Sequence, residues 1–277
     1  MRKFAIGAAV SGALALSALA VPTASAATPD LTFSGVVVNG GKAIVVGTTS
    51  TVTVPVTYTM TRPADLVIDY DTTAAGILLY RGSLSDIDNE LGGDAAPTCT
   101  TTATTDTTVT EACTGTIAVD PYNYLYEAAD ATTWKAAGYY GHIEQDNDDS
   151  DGHISLDYGY DMWGNLGTAQ IKRAAKLTAN ATPEPVVKGK TLTVTGTLTR
   201  ANWETSKYSG YTSQSVALQF RAKGSDTYTT VKTVTSGTAG ALKTTVKASA
   251  DGYYRYKFAG TTTTGAKTAA GDFVDVK

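Results

Sequence analysis

The sequence has only two cysteines and two histidines. It has no G-x-S-x-G, H-E-x-x-H or C-x-x-C spacing, so nothing in it spells a nucleophile elbow, a zinc-protease helix or a redox dithiol. Long Leu/Glu/Lys runs at helical spacing are absent, which argues against a helical bundle. One long apolar run occurs, Phe4–Val21, preceded by Arg2 and Lys3 and followed by Ala24-Ser25-Ala26. This is the order of a secretory signal peptide over residues 1–26, with charged, apolar and A-x-A regions. As a membrane anchor the run would be barely long enough and is rich in small residues, so cleavage is expected. No cysteine stands at the cut, and the C-terminus shows neither an apolar tail nor a basic sorting tail. A secreted, extracellular protein without membrane attachment after cleavage is expected.

Thr, Val, Tyr and Gly dominate what remains, and stiff β-branched side chains suit a pleated surface, so the chain reads as all-β. Charge divides it. From Thr28 to Ile171 twenty Asp/Glu face four Lys/Arg, a net of about −16; from Lys172 onward six face sixteen, about +10. Such asymmetry points to charged partners. Two β-sandwich domains are expected, an acidic one over 28–171 and a basic one over 172–277. They meet at KRAAKLTANATPEP, with Pro183 and Pro185 as a hinge that suits docked or mobile halves equally.

In the acidic half, period-2 runs cover Leu31–Val38, Ala43–Val46 and Thr51–Met60, with Asn39-Gly40-Gly41 as a turn. Pro55 suggests an edge strand or a bulge. Asp65–Tyr70 and Ile77–Arg81 read as further short strands. Cys99 and Cys113 lie symmetrically about Asp106 in TCTTTATTDTTVTEACTG, which predicts a hairpin closed by a disulfide. The aromatics Tyr122, Tyr124, Tyr126 and Trp134 read either as core and rim residues of a small β domain or as a stacking surface for sugar rings or a partner; the first reading is preferred.

The one stretch with site-like chemistry is EQDNDDSDGHISLD. Counted from Asn147, oxygen ligands fall at positions 1, 3 and 5 (Asn147, Asp149, Asp151), with Gly152 at 6, His153 at 7 and Ser155 at 9. That is the spacing of a calcium loop of the D-x-D-x-D-G type, where alternate oxygens converge because the glycine wraps the chain round the ion. Position 12 is Tyr158 rather than a bidentate Glu, and Asp157 comes one residue early, so this is not an EF-hand. The alternative is a solvated acidic loop. As a site it would hold Ca2+ through Asn147, Asp149, Asp151, His153, Ser155 and Asp157. Asp69, Asp71, Asp86, Asp88 and Glu90 form a second acidic set.

The basic half alternates cleanly over Thr191–Thr199, Val216–Phe220, Tyr228–Val234, Leu242–Val246, Tyr254–Phe258 and Phe273–Val276, after a strand at Leu177–Asn180. Seven strands in about a hundred residues give an immunoglobulin-like sandwich. Asp251-Gly252-Tyr253-Tyr254-Arg255-Tyr256 resembles the tyrosine-corner segment of immunoglobulin-type domains. The resemblance implies that Tyr254 is the corner residue and that Tyr256 stands where antibody domains carry Cys. The whole half also resembles the C-terminal module of secreted actinobacterial proteins that are mostly uncharacterised and sometimes labelled calcium-binding. Its Lys/Arg are scattered along outward faces, unlike the gathered patch of a nucleic-acid reader, so no nucleic acid is expected. An anionic cell-wall polymer or another protein suits a basic face outside the cell; plain solubility is the alternative.

These readings favour a non-catalytic binding or wall-associated protein. A Ca2+-dependent structural protein comes second and a carbohydrate-active enzyme using acidic-half carboxylates third.

Overall fold

A computed structural model describes residues 29–93, 95–142 and 161–277. The leader therefore lies outside the described residues. The alternating runs form β1 (Thr32–Val38), β2 (Ile44–Val46), β3 (Val52–Pro63), β4 (Thr73–Ser83), β5 (Asp86–Leu91), β6 (Thr98–Thr104), β7 (Thr108–Val119), β8 (Thr133–His142), β9 (Asp161–Trp163) and β10 (Thr168–Arg173). There follow β11 (Ala175–Leu177), β12 (Asn180–Thr182), β13 (Thr191–Asn202), β14 (Lys207–Gly210), β15 (Ser215–Ala222), β16 (Thr229–Thr235), β17 (Ala241–Lys247), β18 (Gly252–Phe258), β19 (Lys267–Thr268) and β20 (Asp272–Val274). Among the described residues no helix is long and apolar enough to cross a membrane.

The first ten strands make two sheets, ordered β1-β3-β7-β6 and β2-β10-β8-β4-β5, with β9 added on β8. The first strand is divided between them. β1 pairs with β3, then the chain turns at Asn39-Gly40-Gly41, all three at positive φ, and β2 joins the other sheet parallel to β10. The second set repeats the scheme: β13 is flanked by β11 and β12 on one edge and by β14 and β17 on the other, facing a sheet ordered β16-β15-β18-β19 with β20 also on β18. Both sets have the immunoglobulin-type division of strands between two sheets. Sequence periodicity assigned it to the basic half alone.

Each sandwich buries its own apolar stripe. The first core gathers Leu31, Val54, Val56, Met60, Leu79, Ile117, Trp134 and Ile171; the second gathers Leu192, Val194, Leu198, Val216, Leu218, Tyr256 and Phe258. Three strand expectations need correction. The strand expected at Leu177–Asn180 is instead the break between β11 and β12. Residues 65–70 form a loop, and Leu66, Ile68 and Tyr70 earn their apolar character by packing partly buried on the first core. Pro55 lies on an interior strand, not an edge. It is tolerated because β1 ends opposite Val56, leaving Pro55 one residue past the ladder that would have needed its N–H.

Most of the segment expected to be a hinge is strand, while Pro183 and Pro185 themselves lie in the bend after β12. β10 ends at Arg173 and β11 starts at Ala175, with Ala174 donating to Val46 O at 2.8 Å and accepting from Ala201 N at 2.8 Å. The long β13 carries Ala201, and just beyond its end Trp203, into the first core, where the Trp203 indole donates to Gly47 O at 2.8 Å. Arg173 is buried at this seam. It accepts and donates on its backbone to the 263–265 loop, stacks at 4.9 Å on Trp203, and pairs with Glu204 at 3.0 Å. Burial pushes the Glu204 carboxyl up; its own backbone N–H, Arg173 and the Ala128 N–H outweigh that and hold it below its usual range. Among the described residues, the ion pairs of Arg62, Arg81, Arg173, Lys223 and Lys277 each stay on one side of the seam.

Candidate functional site

The expected Ca2+ ligands Asn147, Asp149, Asp151, His153, Ser155 and Asp157 lie outside the described residues. Among the described residues no group of three or more His, Cys, Asp or Glu is arranged to hold a metal ion. Of the second acidic set, Asp69 caps its own turn by accepting from Asp71 N at 3.0 Å, while Asp88 is engaged by Arg81 at 3.3 Å. The disulfide Cys99–Cys113 is formed between directly opposed residues of β6 and β7, around the expected turn. It is structural. Nearly every side chain of β6 is exposed, so burial contributes little to holding this edge strand and the covalent link does most of it.

Two surfaces carry more chemistry. The first is on the second sandwich. Period-2 alternation sends Tyr254, Tyr256 and Phe258 inward and leaves Tyr253, Arg255 and Lys257 on the outer face of β18. Pairing with β15 sets Arg221 opposite Tyr253 and Gln219 opposite Arg255, and β20 sets Phe273 opposite Tyr253. The result is an alternating stack. The Arg255 guanidinium lies 3.5 Å over Tyr228, Arg221 lies 5.3 Å from Tyr228 and 4.2 Å from Tyr253, and Phe273 follows at 5.1 Å from Tyr253 with Lys223 5.6 Å above it. Gly271 lets Tyr228 take this place, since a Cβ there would fall 2.3 Å from its hydroxyl. Arg255 is further fixed by Nε donating to Gln219 at 3.0 Å, and Arg221 by donating to Ser225 O. Cations scattered in the sequence are thus gathered, with rings between them, on one face. Each such stack contributes about 0.5–1 kcal/mol at an exposed site.

The second surface is the loop between β7 and β8. Asp120 starts it by accepting from the backbone of Tyr122 at 2.8 Å, and Asn89 on edge strand β5 donates to Tyr124 O at 2.7 Å. Leu125 turns into the first core. The loop closes on Asp130, whose side chain is fully buried. One carboxylate oxygen accepts from Tyr126 N (2.8 Å) and Glu127 N (3.0 Å), the other from Arg81 Nε (3.1 Å) and Asn89 Nδ2 (3.2 Å). The Asp130 carbonyl takes the Trp134 indole at 2.9 Å. A buried carboxylate this fully hydrogen-bonded fixes the backbone around it. Arg81 also meets Asp88 and Glu127, so these three carboxylates are bound up with one guanidinium rather than poised for acid–base work.

What this scaffold holds out is aromatic. Tyr122, Tyr124 and Tyr126 are 72%, 44% and 61% exposed, while Trp134 is buried. Of the four aromatics, Trp134 belongs to the core and the three tyrosines lie outside it. The missed signal was Asp130 itself, an acid set four residues before the buried Trp134. Its partners on β4 and β5 are 41 to 49 residues away, beyond any local pattern.

No protein-family model matches this chain, and no curated protein matches it. Among solved structures it is similar to the full ectodomain (Ig1–Ig3) of mouse nectin-like molecule 4 at 14% identity, with 88% of this chain and 65% of that chain covered and a TM-score of 0.23. The chain thus spans just under two thirds of that ectodomain's length.

Proposed function

We propose that this is an exported, non-catalytic binding protein that associates with an anionic cell-wall polymer through the Arg/Tyr face of its second sandwich. The observation that carries the reading is the stack Arg255–Tyr228–Arg221–Tyr253–Phe273–Lys223. Guanidiniums held against rings and by Ser225 O and Gln219 lose little further freedom on binding, which suits contact of their remaining N–H groups with phosphate or carboxylate groups. Lys257 extends the row along β18. Four cations there stand against Asp226 and Asp251, so a single contact is weak, and a repeating polymer gains by engaging many copies or many repeats. That excess is small beside the six to ten phosphate contacts of a strong nucleic-acid binder, roughly counted. Export is supported by the leader-like start and by a disulfide, which persists in oxidising compartments.

The test is retention of the mature protein on purified, teichoic-acid-bearing cell wall over a salt series. Retention should fall as salt rises, because screening weakens exposed charge contacts. It should be lost in Arg221→Ala with Arg255→Ala, a variant whose circular dichroism still shows the parent fold. Absence of retention at low salt sinks the reading, and tighter binding to duplex DNA than to wall reassigns the face.

Ca2+ binding by Asn147, Asp149, Asp151, His153, Ser155 and Asp157 joins this proposal on sequence spacing alone. A melting temperature unmoved by millimolar Ca2+ or by chelator removes it, since a ligand of the folded state raises apparent stability.

A further inference from the structure

We infer that the loop bearing Tyr122, Tyr124 and Tyr126 is a second binding surface, a stacking platform for a neutral polysaccharide chain. This stands independently of the basic face. Three large rings exposed within five residues need an explanation, because the same loop buries Leu125 and so does not lack access to the core. The backbone that carries the rings is held. Asp120 holds the backbone of Tyr122, Asn89 holds that of Tyr124, Asp130 holds that of Tyr126, and the Tyr126 hydroxyl donates to Asn123 O. Among the described residues no cation or second ring covers any of the three, in contrast to Tyr228 and Tyr253 on the other sandwich. Rigid tyrosines supply broad amphipathic contact at small entropy cost, with an apolar face for sugar C–H groups and a hydroxyl at the edge.

The rim selects the ligand. Asp120, Glu127 and Asp88 surround the loop, and the Arg81 guanidinium is taken up by carboxylates, so the local field is negative and repels phosphate or uronate polymers. Trp, Phe, Met and Arg, which accompany Tyr at the centre of a protein–protein interface, are missing from the loop. Rings with carboxylate and amide acceptors beside them match the faces and hydroxyls of uncharged pyranoses.

The experiment is co-sedimentation of the mature protein with insoluble cellulose, chitin and β-1,3-glucan at low and high salt. Capture by at least one of them, unchanged at high salt, is expected. Tyr122→Ala with Tyr124→Ala should weaken it by at least about tenfold, the scale of losing a central contact. Both positions are exposed, so the variant should melt like the parent. Arg221→Ala with Arg255→Ala should leave this capture intact, which separates the platform from the basic face. Failure of the parent on all three polymers overturns the inference, as does a tyrosine variant that binds as well as the parent. Salt-sensitive capture by polylysine, lost in the tyrosine variant, overturns it in favour of a cationic partner.

Discussion

The hydroxyl of Tyr256 on β18 donates to the carbonyl oxygen of Val194 on β13 at 2.9 Å, joining the two sheets of the second sandwich through its core. The resemblance to the tyrosine corner assigned the backbone-tying role to Tyr254. That residue instead packs against Phe220 with ring centroids 4.8 Å apart, and its neighbour two positions on makes the tie where antibody domains have Cys. The ring of Tyr256 also lies over Gly196, where a Cβ would come within 2.9 Å of it and 2.2 Å of Thr178 O.

Tyr256→Phe should therefore cost about 0.5–1.5 kcal/mol, the net worth of one hydrogen bond, because Val194 keeps its place in the ladder with β17. Gly196→Ala should cost at least as much by overpacking against backbone. Denaturant melts check both, with the midpoint moving and the slope unchanged.

Alkaline pH should weaken the fold early. Burial pushes Tyr256 and Tyr70 up to about 12, and pushes Tyr58 higher still, with Tyr70 and Tyr139 adding to it. The native state keeps these protons above pH 10, where the unfolded chain releases them. The stabilisation is thus complete below pH 10 and is lost as pH climbs towards 12. For the fully buried Tyr256 the slope is about 1.4 kcal/mol per pH unit in that window. Melting temperature against pH, followed with phenolate absorbance, reads it out; a flat profile to pH 12 would contradict the burial of these rings.

Asp130→Ala should be among the most damaging changes in the first sandwich, at about 2–4 kcal/mol, since it orphans two backbone N–H groups and leaves Arg81 only its more exposed partners Asp88 and Glu127. Hydrogen exchange should rise at Tyr126 and Glu127 ahead of global unfolding. Protection unchanged at those amides would mean that the loop is held by something other than this carboxylate.

Trp203→Ala should cost about 3–5 kcal/mol and uncouple the halves, because the indole fills the first core from a position just beyond the end of β13. Calorimetry should show one transition in the parent and two in the variant. One transition in both would place the coupling elsewhere along the seam.

The amino-acid sequence by itself determined the strands, since alternation of apolar and polar side chains is a local property. It determined the Cys99–Cys113 hairpin, since two cysteines symmetric about Asp106 have one simple way to meet. In the basic half it carried six of the seven expected strands, while Leu177–Asn180 is the break between β11 and β12, and β14 and β19 were not expected. Local alternation failed at 65–70, where a short apolar run packs without pairing, and at Pro55, whose tolerance depends on where the neighbouring strand stops.

Tertiary structure alone decided what the surfaces are. Arg81 meets Asp130 across 49 residues, Trp203 reaches Gly47 across 156, and Arg221 and Arg255 share Tyr228 only because β15 and β18 pair in one register. Sequence periodicity states which face a residue takes within its own strand. Which strand lies beside it is settled by the packing of whole sheets, and at that level a scatter of cations became a stack and three tyrosines of one loop came to be exposed together.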